Sequence, residues 1–288
     1  MNDIRNNDPM DNQSNGSNNE FPPYLKFKGL LFYDVIYEVI KPTILTTNEE
    51  KIHFTLPKEH VHFIFNRHRY NYQLQIRICQ LENKVTSLNG VVDYFPQGLS
   101  IHVGTLPCKL PFYKYKLGNT SSRLFGAPID CTKIVKFTPN TINTISIKYT
   151  PDTKTYALTM CIVSKLTAKT LVNRLFGKAR RNKQETINDI LKLFEKNNDT
   201  DLAITRFKLP LICPITKLRM KVPVKSNQCK HIECFDALAY ICSNRRNTIW
   251  KCPICHLDCL YNNLEIDSYI FFLLNHPSLR NCKFLIIL

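Results

Sequence analysis

Long apolar runs are missing from this chain. No 18 consecutive apolar residues occur in its 288 positions, so no helix is expected to cross a bilayer and no membrane partner is expected. Residues 1–20 are rich in Asn, Asp and Ser and contain no apolar segment of the signal-peptide kind, which predicts a disordered tail rather than an export signal. Glycines number only eight, and none are grouped into a phosphate-cradling loop. No Ser-His-Asp order, paired acid/base carboxylates or metal site with an open position is evident, which leaves the chain without a recognisable catalytic group of its own. Acidic residues are also in deficit, with 23 against 39 Lys and Arg and a net charge of +16. A charge of that size favours polyanions with steep salt dependence, so weak nucleic-acid contact is expected without any base-specific reading.

What is abundant is cysteine. Twelve are present, eight of them between 213 and 282. Without an export signal they are expected in a reducing compartment, as thiols or metal ligands. Cys229-Lys230-His231, twenty residues, then Cys252-Pro253-Ile254-Cys255 make a complete tetrahedral ligand set for one zinc ion. Three thiolates and one imidazole leave no open position, so such a metal is structural. Two rival readings are weaker. Cys252-x-x-Cys255-His256 fits c-type haem attachment, but this requires export and leaves Cys229 and His231 without a purpose. A disulfide framework meets the same objection about compartment. Cys242, Cys259 and Cys282 stand in no nucleophile context and are expected as buried packing thiols.

An ordinary RING domain interleaves eight ligands, the first, second, fifth and sixth on one zinc and the rest on another. Against that template Cys229, His231, Cys252 and Cys255 complete the second site. The first keeps Cys213 and Cys234 but has Thr216 and Ala237 where two thiolates belong. Neither a hydroxyl nor a methyl group replaces a thiolate, so one ion is expected rather than two, and a two-zinc ubiquitin RING is disfavoured. The emptied half must be held by packing and hydrogen bonds.

This half-emptied RING resembles the SP-RING, or MIZ-type zinc finger, of the PIAS and Siz family of SUMO ligases. The resemblance runs through Leu211-Ile212-Cys213-Pro214-Ile215-Thr216-Lys217-Leu218-Arg219-Met220, Cys234-Phe235-Asp236, Trp250-x-Cys252-Pro253-x-Cys255 and Leu264-x-Ile266-Asp267. It implies docking of a SUMO-charged conjugating enzyme through Ile215, Pro253 and Ile254 at the zinc-loop tips. Trp250 lies beside them and fits either a core plug or an interface role. SUMO and nuclear protein substrates are the further partners implied, the nucleus the implied location, and regulation of transcription the implied setting. The competing reading is a transcription or chromatin adaptor that binds protein or nucleic acid through its basic surface without catalysis.

Ahead of the zinc module, 21–165 alternates in the manner of half-buried strands. Leu74-Gln75-Ile76-Arg77-Ile78 and Leu99-Ser100-Ile101-His102-Val103 each place aliphatics on one face. Ile145–Tyr149 and Tyr156–Met160 flank Thr150-Pro151-Asp152-Thr153 and read as a hairpin. A mostly antiparallel sandwich or distorted barrel follows. Lys41-Pro42-Thr43-x-Leu45, Tyr94-Phe95-Pro96-x-Gly98-Leu99, Pro107-Cys108-x-Leu110-Pro111 and Ala127-Pro128-Ile129-Asp130 are similar to the PINIT domain of the same family, with Asp130 in place of Asn. The resemblance implies a part in substrate choice and localisation. His53, His60, His62 and His68 have no ligand pattern around them and read as ordinary surface or strand residues.

Between the two, 166–203 reads as a helical linker. Leu171, Leu175 and Ala179 mark one amphipathic helix, and Ile187, Ile190, Leu191 and Phe194 a second that ends at Asn197-Asn198-Asp199. Within it, Lys178-Ala179-Arg180-Arg181-Asn182-Lys183 reads as a nuclear-import signal, a phosphate contact or a solvated helix face. The zinc module is expected over 204–275, with Asp267 capping a helix through Ile270, Phe271 and Leu274. Residues 276–288 read as a tail, its apolar Lys283–Leu288 end either a truncated strand or a SUMO-interacting stretch. The fold class is thus multidomain α+β: a mostly antiparallel β domain, a helical linker and a single-zinc RING-like α+β module.

Overall fold

The computed structural model describes residues 25–61, 71–81, 90–111, 113–115, 123–125, 127–138, 140–178, 180–195, 206–247 and 249–288. The expected tail over 1–20, His62, His68, Ala179 and the helix end at 197–199 lie outside these residues. The chain divides into two compact units, Val35–Val163 with the segment ending at Gly29, and Leu30–Asp34 with Ser164–Leu288.

The first unit holds β1 (Tyr33–Leu45, whose first two residues belong to the second unit), β2 (Glu49–Phe54), β3 (Tyr72–Leu81), β4 (Ser100–Val103), β5 (Leu106–Pro107), β6 (Tyr113–Tyr115), β7 (Arg123–Phe125), β8 (Ile129–Asp130), β9 (Asn143–Lys148) and β10 (Thr155–Lys165, whose last two residues belong to the second unit). Two four-stranded sheets result, ordered β1-β10-β3-β8 and β2-β9-β4-β5, with β6 and β7 paired apart from them. The alternating aliphatics meet between the sheets as expected. Leu74, Ile76 and Ile78 of β3 share one buried cluster with Ile101 and Val103 of β4, Ile145 and Ile147 of β9, and Leu158, Met160 and Ile162 of β10. Facing inner surfaces of this kind make a sandwich.

The hairpin reading is corrected. Both segments are strands, but β9 lies in one sheet and β10 in the other, so the turn between them crosses the sandwich. β10 is buried from Tyr156 to Val163 without alternation. Its even-numbered residues face the sandwich core, while Ala157 packs with Phe27 and Cys79 in a separate cluster. Its ladder partners are β1 and β3, whereas β9 pairs with β2 and β4. The corner is held by Thr150, whose N–H donates to Gln97 at 2.9 Å. Gly98 (φ +68°) permits the approach, since a Cβ there would come within 2.4 Å of the Thr150 hydroxyl oxygen. Tyr156 donates its hydroxyl proton to Asp152 at 2.6 Å, tying the strand start to the turn.

Polar residues of β3 are buried as well. Arg77 donates from Nε to Asp93 at 2.8 Å, with side chains only 8% and 5% exposed. It also donates to the Lys28 carbonyl at 2.8 Å and lies over the Phe27 ring. The pair pins the amino-terminal segment to the back of the sheet.

The second unit contains α1 (Ala168–Phe176), α2 (Lys183–Glu195), β11 (Phe207–Pro210), β12 (Pro223–Ser226), β13 (Phe235–Asp236), α3 (Ala237–Asn247), β14 (Leu264–Ile266), α4 (Ser268–Asn275) and β15 (Phe284–Ile287). Thr167 caps α1 by accepting the Thr170 N–H at 3.0 Å. Leu171, Val172 and Leu175 of α1 and Ile190 of α2 join the same buried cluster as Cys213, Phe235, Ile241 and Ile270, so both linker helices pack into this unit. Tyr261 fastens α1 by donating to the Leu171 carbonyl at 2.8 Å. Asp267 caps α4, accepting from Tyr269 and Ile270 at 3.0 and 2.9 Å, and it also accepts the Thr186 hydroxyl of α2 at 2.7 Å. The chain's last strand pairs antiparallel with β11, Phe207 opposite Ile287 and Pro210 opposite Phe284.

Removing one member of a buried ion pair strands the other charge. Asp93→Ala should therefore destabilise the protein by about 3–5 kcal/mol, and a double replacement of Arg77 and Asp93 by Met and Leu by much less; urea unfolding of the three proteins checks this.

Candidate metal centre

Two loops of the second unit are built to one plan. Cys213-Pro214-Ile215-Thr216-Lys217-Leu218 and Cys252-Pro253-Ile254-Cys255-His256-Leu257 differ in the fourth and fifth residues. In the first, Cys213 N–H donates to Leu218 at 2.8 Å and Lys217 N–H to Cys213 at 2.9 Å. In the second, Cys252 N–H donates to Leu257 at 2.8 Å and His256 N–H to Cys252 at 3.0 Å. The fifth residue is left-handed in both, Lys217 at φ 58° and His256 at φ 61°. Single bridges close the bases, Ile212 to Arg219 and Lys251 to Asp258. The knuckle geometry is thus present twice, although the two loops carry different donor sets.

The second knuckle meets the loop after β12. Cys229, His231, Cys252 and Cys255 bring their ligand atoms within 4.8 Å of one another. Cys229 Sγ lies 3.7 Å from Cys255 Sγ, and His231 Nε2 lies 3.3 Å from Cys252 Sγ. Zn–S and Zn–N bonds of about 2.3 and 2.0 Å place tetrahedral neighbours roughly 3.8 and 3.5 Å apart, so the donor set fits zinc. His231 Nδ1 lies 2.9 Å from the Glu233 carbonyl and donates its proton there, turning Nε2 toward the thiols. Electrostatics make the same demand. Burial and the neighbouring cysteines push the Cys229 thiol up to about 12, and burial lowers His231, keeping it a neutral imidazole. Burial also acts against the Cys255 thiolate, but the Leu257 N–H and the neighbouring thiols bring it below its usual value. Thiolates gathered this closely need a cation.

The first knuckle gathers no such set, and among the described residues no other grouping of three or more His, Cys, Asp or Glu is placed to hold a metal. Thr216 faces solvent, while Ala237 is buried as the first residue of α3. Cys213 accepts the Asp236 N–H at 3.3 Å and Cys234 is a buried thiol pushed far up by burial. Asp236 carries the closure, accepting from the N–H groups of Lys221 (2.8 Å), Val222 (3.2 Å) and Ala239 (3.1 Å). Arg219 adds donors to the carbonyls of Leu274, at 3.1 Å, and Cys282. Lys225, 2% exposed, extends its ammonium to the His231 carbonyl at 2.7 Å. No motif or alternation marks this lysine in the sequence, because β12 is buried on both faces.

Ile215, Pro253, Ile254 and Trp250 are half-buried, and Ile215, Ile254 and Trp250 rest against the core. The Trp250 ring stands edge-on to Tyr240 at 5.8 Å, and the Trp250 backbone N–H donates to Asn244 Oδ1 at 2.7 Å. Leu218, Ile249 and Leu257, unremarked in the sequence, are more than half exposed. Cys259 is buried and Cys282 half-buried, but Cys242 is exposed on the outer side of α3, which corrects the expectation of a packing thiol there.

Asp236→Ala should leave zinc content unchanged and destabilise the second unit by about 2 kcal/mol or more, because three backbone donors lose their acceptor; thermal melts of zinc-loaded protein test this. Metal binding must displace the Cys229 proton, so apparent zinc affinity should rise from pH 6 to pH 8. Competition with a chelator at the two pH values measures the slope.

A model of the MIZ/SP-RING zinc finger matches residues 209–258, and a model of the PINIT domain matches residues 24–164. "E3 SUMO-protein ligase PIAS3" of Mus musculus is 30% identical over 272 residues, covering 89% of this chain and 43% of that protein. "E3 SUMO-protein ligase PIAS2" of Homo sapiens gives the same identity and coverage. "E3 SUMO-protein ligase SIZ2" of Saccharomyces cerevisiae is 32% identical over 169 residues, 57% of this chain and 23% of that protein. The chain thus spans less than half the length of these curated relatives. The crystal structure of the S. cerevisiae SUMO E3 ligase SIZ1 superposes with a TM-score of 0.71 at 23% identity, covering 97% of each chain.

Proposed function

The chain belongs to the PIAS/Siz family, and from that premise we propose that it is a SUMO-protein ligase. The observation that carries this reading is the fitted donor set of the second knuckle, held beside a first knuckle of the same backbone design that gathers no such set. Cys229, His231, Cys252 and Cys255 are the proposed ligands of one structural zinc ion. When bound, zinc cross-links the two loops and neutralises the thiolates, and it offers no open position for chemistry. Asp236 and its three backbone partners take over the mechanical part of the second metal.

The chain's own residues then act by binding. Ile215, Pro253 and Ile254 are presented at the tips of the two knuckles and make the apolar contact with a SUMO-charged conjugating enzyme. Trp250 anchors the base of the second knuckle through Asn244 and Tyr240, so its role is positional as well as interfacial. No covalent intermediate forms on the chain. The substrate lysine attacks the thioester carbonyl, and the thiolate of the conjugating enzyme leaves. Holding two reactants in a productive posture can lower a barrier by up to ~7–11 kcal/mol. The β unit is the proposed selector of protein substrates, and the nucleus the proposed setting.

Lysine discharge from SUMO-charged conjugating enzyme, with zinc measured on the same sample, is the direct test. One zinc per chain and faster discharge are expected. Salt-sensitive binding of polyanions without acceleration would favour the adaptor reading, as would an unchanged rate in the presence of the folded chain. His231→Ala should lose zinc and unfold the second unit, since structural zinc contributes an apparent ~10–16 kcal/mol in small fingers. Ile215→Ala should retain zinc and slow discharge about tenfold at subsaturating chain; an unchanged rate would put the docking face elsewhere.

A further inference from the structure

The basic run 178–183 is largely consumed inside the second unit. Lys178 stands 4.2 Å from the centre of the Tyr261 ring and 3.4 Å from the Tyr261 carbonyl oxygen. Arg181, whose side chain is 15% exposed, is engaged by Asp189, by Glu185 at 3.5 Å and by the Thr186 hydroxyl at 3.2 Å. Neither is free to act as a flexible import signal.

Arg180 and Lys183 are different. Both are exposed, and both line a groove of about 450 Å³ closed on the other side by Phe271 and Phe272 of α4 and by His276 and Pro277 after it. Among the described residues, no acidic side chain lines this groove. The Lys183 ammonium lies 4.1 Å above the Phe272 ring, and the Arg180 guanidinium 5.2 Å above Phe176, which itself meets Phe271 edge-on at 6.0 Å. Two cations therefore sit on an aromatic floor, their charge raised out of the apolar surface and open to an anion. None of the lining residues belongs to the two knuckles.

We propose that this groove binds a short acidic peptide segment that presents one large apolar side chain between carboxylates. The carboxylates pair with Arg180 and Lys183, and the apolar side chain seats against Phe271, Phe272 and Pro277. Charge complementarity selects an anion. The volume suits one or two side chains rather than a run of nucleotides. Lys183 already covers one face of Phe272, which obstructs the stacking by which single strands bind aromatic platforms. A carboxylate peptide meets both halves of the groove, where a bare phosphate meets only the cations.

The test uses the full chain and a fluorescein-labelled octapeptide in which Asp and Glu flank a single Phe, read by fluorescence anisotropy. Its Asn/Gln isostere and a single-stranded oligonucleotide of equal charge serve as comparisons. The acidic peptide should bind, and Arg180→Glu with Lys183→Glu should weaken it by about a hundredfold, roughly tenfold for each ion pair reversed. Zinc content and the thermal melt should stay unchanged in that variant. Lys58→Glu, an exposed lysine of the other unit, should have no comparable effect. Three results would each overturn the assignment: equal binding by the Arg180/Lys183 variant, equal binding of the Asn/Gln peptide, or an equal loss with Lys58→Glu. Tighter binding of the oligonucleotide that depends on Arg180 and Lys183 would assign the groove to nucleic acid instead.

Discussion

Three thiols and an imidazole gathered within 4.8 Å, two of the thiols buried, impose the constraint around which the second unit is arranged. Burial alone opposes ionisation of such a set, as the upward push on Cys229 records. A divalent cation held there would reverse that balance and tie the loop after β12 to the second knuckle. The backbone on either side follows. Cys259 N–H returns to the Trp250 carbonyl at 2.7 Å, and Tyr240 donates to the Cys259 carbonyl at 2.7 Å, so the knuckle is tied to α3. From α3 the same cluster of buried residues reaches α1, α4 and β14.

Among the described residues the first knuckle gathers no set of metal donors, yet it keeps the same backbone geometry. Its hydrogen bonds and its left-handed fifth residue repeat those of the second, so the fold of a knuckle does not itself require a complete ligand set. What a metal would cross-link, Asp236 cross-links through three backbone donors. A carboxylate accepting N–H groups is held by local geometry and survives chelation; a metal bridge is lost with its ion. With zinc bound at the proposed ligands, the unit would rest on two devices with different chemical sensitivities, and only the metal bridge would respond to zinc supply and pH.

The charge of the chain is similarly divided. A net +16 suggests a diffuse attraction for polyanions, yet several of the cations have specific places. Arg77 is buried against Asp93, Arg181 is embedded among acids at the start of α2, and Lys225 holds the carbonyl of a proposed ligand residue. Arg180 and Lys183 are the members of the basic run left facing solvent over an aromatic surface. Position, not number, separates structural cations from available ones.

The donor set and most of the amphipathic faces are legible in the sequence, because each depends on spacings of a few residues; Leu191, read on the packing face of α2, is instead 51% exposed, and Thr186 is buried with Ile190. A Cys-x-His and a Cys-x-x-Cys specify a local turn and its ligands, and alternation over five residues specifies which face of a strand is buried. Asp267 as a helix cap is local in the same sense. Strand partners are not local. Ile145–Tyr149 and Tyr156–Met160 look like a hairpin because a turn lies between them, yet their ladder partners, β2 and β4 for one and β1 and β3 for the other, come from distant parts of the chain. The pairing of Phe284–Ile287 with Phe207–Pro210 joins residues more than seventy positions apart. The groove over α4 likewise needs α2 to arrive beside it before Lys183 and Phe272 can meet. Sequence spacing set the chemistry available at each loop and face; long-range packing decided which of those faces met, since the free energy of burial depends on partners that no local pattern names.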